Sequence, residues 1–183
     1  MIDSQLRTSG VNEEYVLARM LAVPREDYLP AEKASLAYID RAIALGEQGH
    51  LAAPLFYGKL LTEAAPGPDD RVLLVSGGTG YLAALLRPLV AELTEVSAAA
   101  AATMTGTAQY SLIVIDGAIE QLPAGLATAL AEDGRIVTGL VLRQVTRLAS
   151  GLKIAGQVNL QPVEDIGIPV LHPFDAPKGW TFA

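Results

Sequence analysis

RVLLVSGGTGY, residues 71–81, sets a short apolar run, a glycine turn and the start of a helix in one line. A run such as Arg71–Val75 has no polar alternation, so both of its faces must be covered, as in a parallel strand. The turn Ser76-Gly77-Gly78-Thr79-Gly80 follows at once, and Tyr81 to about Leu89 has helical character. Downstream, Ala91–Val96 reads as a second strand. Tyr110–Ile115 (YSLIVI) is the strongest strand signal and is expected to end at Asp116-Gly117. Leu122–Ala131 reads as helix, Gly134–Leu142 as strand, and Val145–Pro162 as shorter antiparallel strands. Upstream, Pro66-Gly67-Pro68-Asp69-Asp70 punctuates the chain after a helix expected over Pro54–Ala65, with Pro54 where no amide hydrogen bond is wasted. Ala31–Ala44 is weakly amphipathic. An earlier helix is expected to be capped by Asn12, to carry Val16, Leu17, Met20 and Leu21 on one face, and to stop at Pro24. Strand, turn, helix, strand, strand, helix, strand is α/β order.

A length of 183 residues suits one domain. Its expected parts are an N-terminal helical region (1–66), a sheet core (67–165) and an ordered, irregular tail (166–183) in which Trp180 and Phe182 dock onto the body. With no cysteine, disulfides and thiolate zinc sites are excluded. Twenty acidic residues against thirteen basic ones disfavour a nucleic-acid surface, which needs a clustered positive field. The longest apolar run, Leu112–Ile115, is far too short for a membrane span, and the polar opening MIDSQLRTSG has no signal-peptide core. The expectation is a cytoplasmic protein with no membrane or nucleic-acid partner.

A glycine turn between a buried strand and a helix is the usual seat of a nucleotide or of S-adenosylmethionine, because the backbone can approach the ligand and the helix start offers amides. Gly78 and Gly80 fit that spacing, with Ser76 in the first glycine's place. A tight turn without a ligand fits it too. The ribose carboxylate expected about 20 residues later falls near Ser97, and Glu95 is the better placed of two nearby acids, either toward a ribose or as a solvated strand-end charge. Only thirteen residues, SAAAAATMTGTAQ, separate Val96 from Tyr110. That is room for one short helix or loop, with Ala98–Ala102 as its filler, but not for a helix, a third strand and a return. The Ala91–Val96 strand then lies at an open edge, which suits a homodimer or another partner.

Over nearly its whole length the chain resembles the protein-L-isoaspartate O-methyltransferases. The resemblance is carried by Asp3-Ser4-Gln5-Leu6-Arg7, by Val23-Pro24-Arg25-Glu26-Asp27-Tyr28-Leu29-Pro30, and by Leu36-Ala37-Tyr38-Ile39-Asp40 with Leu45-Gly46. Asp70-Arg71-Val72-Leu73, Gly80-Tyr81, Ser111–Val114 and Gly134–Val137 add to it. It implies a Rossmann-like methyltransferase sheet with N-terminal helices, here shortened by loss of the third strand and its helix. It also implies S-adenosylmethionine as cofactor and isoaspartyl side chains of a protein or peptide as acceptors. The departures sit where that chemistry belongs. The family's Thr-Ile-Ser triplet matches His50-Leu51-Ala52, so the active-site hydroxyl is absent. Its acidic residue before the turn matches Leu74, and its ribose-binding carboxylate matches Ser97. Its Gly-Asp-Gly turn after the third strand has no counterpart.

Asp116 remains a candidate contact for a donor's amino-acid part or an acceptor amide, or else a turn cap. His50 stands as a loop histidine or a general base. His172, between residues of a proline-rich tail, reads as structural, and two histidines so far apart give no metal-ligand spacing.

Overall fold

A computed structural model describes residues 1–177; the expected docking of Trp180 and Phe182 lies outside the described residues. The elements run β1 (Ile43–Ala44), β2 (His50–Leu51), β3 (Arg71–Ser76), β4 (Glu92–Ser97), β5 (Tyr110–Ile119), β6 (Leu130–Leu142), β7 (Val145–Ile154), β8 (Gln157–Val158) and β9 (Gln161–Asp165). The helices are α1 (Glu14–Ala22), α2 (Pro54–Ala64), α3 (Tyr81–Leu86), α4 (Ala98–Thr103) and α5 (Ala124–Ala129). A seven-stranded sheet has the order β4-β3-β5-β6-β7-β8, with β9 also on β7. β4, β3, β5 and β6 are mutually parallel, and β7 returns antiparallel to β6.

Alternation explains why the central strands are apolar throughout. Val72, Leu74, Leu112 and Val114 face one layer with α1, α2 and α3. Leu73, Val75, Ile113 and Ile115 face the other, with α4, α5 and the tail residues Leu171 and Phe174. The antiparallel return is made by Arg143-Gln144, both at positive φ, the two-residue turn whose twist matches a hairpin.

The parallel sheet starts from a shared anchor. Arg135 donates to both oxygens of Asp70, at 3.2 and 2.5 Å, and to the last carbonyls of α2, Ala64 and Ala65. Ser111 adds a third donor to Asp70 at 2.7 Å. The N-terminal ends of β3, β5 and β6 are thereby tied to the C-terminus of α2.

Several expectations need correction. Asn12 does not cap α1; Glu13 takes the cap position and its carboxylate accepts from the Asn12 amide and from Thr62. The 31–44 segment forms a 3₁₀ turn over Ala31–Leu36 and then β1. The helix expected over Leu122–Ala131 is confined to Ala124–Ala129, because Leu130 already pairs with Tyr110 as the start of β6. β5 does not end at Ile115. It continues through a register shift at Asp116-Gly117 to Ile119, where Ala118 exchanges hydrogen bonds with the tail at Pro169 and Leu171.

The expected shortening is present. Val96 leads through Ser97 into α4 and on to β5 with no intervening strand, and β4 is the sheet's edge.

Candidate functional site

The glycine turn sits at the carboxyl end of β3, where open α/β sheets place their ligands. A cleft of about 560 Å³ opens there, between Ser76–Gly78, the 46–49 loop, Ala98 and the tail at Pro169–Pro173. The loop and the turn touch backbone to backbone. The His50 amide donates to the Gly77 carbonyl at 3.0 Å, and a side chain at Gly49 or Gly78 would meet a carbonyl oxygen within 2.1 Å. Gly77, passed over at the sequence level, is as constrained: a Cβ there would lie 2.6 Å from the Asp116 carbonyl oxygen.

The turn spends its own amides. Ser76 Oγ accepts from the Gly78 amide at 3.3 Å, and Thr79 Oγ1 from the Tyr81 amide at 3.4 Å. Gly80 holds the left-handed cap of α3, which is only six residues long. On the ribose side, Ser97 Oγ accepts from the Ala100 amide and caps α4. Glu95 is exposed on the edge strand, paired in register with Leu74.

Asp116 is not solvated. It is 1% exposed; Oδ2 accepts from the Tyr57 hydroxyl at 3.3 Å, while Oδ1 has no partner among the described residues. Burial pushes its carboxyl up to about 7, against the pull of the Tyr57 hydroxyl, the Gly77 amide and the Arg25 charge, and the charge of Glu95 adds to the rise. Of the four candidates, Gly78 and Asp116 flank Gly77 at the cleft, Gly80 stands at the helix start, and Glu95 stays on the edge strand.

Arg25 is the residue whose role the sequence did not disclose. It is fully buried, donates to the carbonyls of Ala37 and Ala52 at 2.7 Å each, and stacks over the rings of Tyr57 and Tyr81. Its block, Val23–Pro30, served above only as a mark of resemblance; an arginine set among prolines and aromatics was the available signal. Ala52 is buried with its backbone spent on both sides, its amide donating to Tyr57 and its carbonyl accepting from Arg25. His50 has its Nε2 3.1 Å from the Asp116 carbonyl oxygen, and burial holds its imidazole below the usual range, against that hydrogen bond. The ring is therefore neutral at pH 7, with the proton on Nε2 and a lone pair on Nδ1. His172 sits exposed beside Asp175, away from this network.

The protein-family model described as Protein-L-isoaspartate(D-aspartate) O-methyltransferase (PCMT) matches residues 1–103. A protein-L-isoaspartate O-methyltransferase of Koribacter versatilis is 30% identical over 90% of this chain and 86% of that protein. One of Methanoculleus marisnigri is 28% identical over 98% and 92%. Among solved structures, a protein-L-isoaspartate O-methyltransferase of Plasmodium falciparum, in complex with S-adenosyl-L-homocysteine, superimposes with a TM-score of 0.72. That match covers 91% of this chain and 94% of that one at 17% identity, a likeness of fold.

Proposed function

Because the chain belongs to the protein-L-isoaspartate O-methyltransferase family, we propose that it is a divergent member that keeps the sheet and the donor cleft but holds S-adenosylmethionine too weakly to repair isoaspartyl residues. Methyl transfer depends on holding donor and acceptor in line, an advantage that exists only while both are bound. One observation carries this reading: β4 is an open edge, and Ser97 at its end is committed to capping α4. A donor's adenosine would find neither a carboxylate for its ribose nor a neighbouring strand as its wall. The absence of a hydroxyl at Ala52 acts in the same direction on the acceptor side.

Calorimetric titration with S-adenosylhomocysteine is expected to give a dissociation constant weaker than about 1 mM. Micromolar binding, together with methyl transfer to an isoaspartyl peptide, overturns the proposal and makes the protein the repair enzyme.

The same open edge favours a second reading, in which the protein acts through pairing of β4 with a second copy or with a partner's strand. Leu93, Thr94 and Val96 are half-buried on that edge, and Glu92 is drawn back to Arg71 at 3.1 Å. A monomeric mass by sedimentation at micromolar concentration excludes the homodimer.

A further inference from the structure

A second cleft, of about 600 Å³, opens on the other side of His50. It shares Ala44, His50 and Pro169 with the donor-side cleft, so the imidazole stands in the wall between them. Its walls are aliphatic: Ala42 and Ala44 from the β1 strap, Ala53 and Leu55 from the start of α2, and Ile166 and Ile168 from the segment after β9. Thr146 also lines it but offers nothing, since its hydroxyl donates to the Ile166 carbonyl and accepts from the Ile168 amide. Asp40 and Arg41 stand exposed at the rim, one charge of each sign.

Within those walls His50 supplies the free polar atom. Its Nε2–H is engaged by the Asp116 carbonyl, so the ring cannot turn without losing that bond. Nδ1 has no partner among the described residues and is not sealed in the protein. A fixed lone pair at the wall of an aliphatic pocket recognises a donor, an N–H or O–H, carried on an aliphatic body. It repels a carboxylate, which has only lone pairs to offer it. The volume is that of an ordinary small-molecule site.

We infer that this cleft binds a neutral aliphatic amide or alcohol through a hydrogen bond to His50 Nδ1, in place of the anionic acceptor that the family takes. The inference rests on the reading above that an isoaspartyl carboxylate is not this protein's ligand. The test follows the ring nitrogens of His50 by NMR in the full chain labelled at histidine, without any methyl donor, while N-acetyl-leucinamide is titrated in. The expected result is a saturable movement of Nδ1 toward the hydrogen-bonded range with Nε2 unchanged, and binding at least about tenfold weaker for the carboxylate N-acetyl-leucine. Ala42→Trp changes an exposed lining residue, fills the mouth without touching the core, and should abolish the response; His50→Phe should also abolish binding, followed by backbone signals. No movement of Nδ1 at millimolar amide, equal or tighter binding of the carboxylate, or an unchanged response in Ala42→Trp overturns the inference. Donor affinity and isoaspartyl methylation are separate readouts. Failure of the amide to bind leaves the weak-donor proposal standing, and a methylating enzyme whose Nδ1 responds only to the carboxylate removes both.

Discussion

Arg25 shows how much one side chain carries here. A guanidinium in a fully buried position is tolerated because two carbonyls and two aromatic faces receive its charge. Arg25→Met keeps the length but leaves the Ala37 and Ala52 carbonyls without a donor. It is expected to lower unfolding stability by about 2–3 kcal/mol, read from the urea midpoint. Asp116 makes the opposite kind of statement. Its carboxyl titrates higher in the folded chain than the ordinary 3.8, at about 7, so folding favours the protonated form. Its contribution is complete below pH 3.8 and is lost as pH rises through 7. Asp116→Asn removes that loss, so the variant should gain on the wild type by on the order of 2 kcal/mol between pH 5 and 8.5. Urea titrations at both pH values measure it. Comparison at matched pH cancels His50, whose lowered value makes its share fail in acid instead. A difference independent of pH contradicts the buried titration of Asp116.

Among elements, the anchor at the base of the sheet gives the clearest expectation. Burial raises the Asp70 carboxyl, but the hydrogen bonds from Arg135, Ser111 and the Gly67 amide outweigh it and hold the group below its ordinary range. That stability is present above the unfolded value and is lost as pH falls through the folded one. Arg135→Met should cost about 2–3 kcal/mol at pH 7, somewhat less than a fully buried pair because Arg135 is partly exposed. It should also move the acid-unfolding midpoint toward higher pH, as followed by circular dichroism. The sheet itself was legible because its signals are local: RVLLV, YSLIVI and GRIVTGLVL are apolar runs bounded by turn residues, and thirteen residues after Val96 could not hold another strand. What was misread depends on distant partners. Leu122–Ala131 has helical composition, but Tyr110 claims Leu130 as a strand partner. Asp116-Gly117 looks like a strand end, and only the tail at Val170 extends the strand past it. The site was legible at its glycines. Arg25, Tyr57 and the tautomer of His50 were not, because each is defined by backbone carbonyls or side chains 12 to 66 residues away.

For the whole molecule, the sheet is a common wall for two apolar layers, and α2 packs against both β6 and β7 while Arg135 ties it to Asp70. No part of the chain can lose its packing without uncovering the others. The N-terminal helices, sheet core and tail are therefore expected to unfold in one transition, with the calorimetric enthalpy equal to the van't Hoff enthalpy. Two separable transitions overturn that single-unit view.

The meeting of the 46–49 loop with the glycine turn also bears on how this protein can change. Gly49, Gly77 and Gly78 each lack room for even one methyl group, and what blocks them is chiefly backbone. No neighbour can step aside as a flexible side chain would. An alanine at any of the three forces two loops apart, and a compensating change must come from the opposite loop before the first is tolerated. Single substitutions thus cannot lead from this cleft toward a more generous one; the two loops form a lock that opens only by paired replacement. A scan of all single variants should find these three positions intolerant, and a gain of donor binding should emerge only from libraries that vary both loops together.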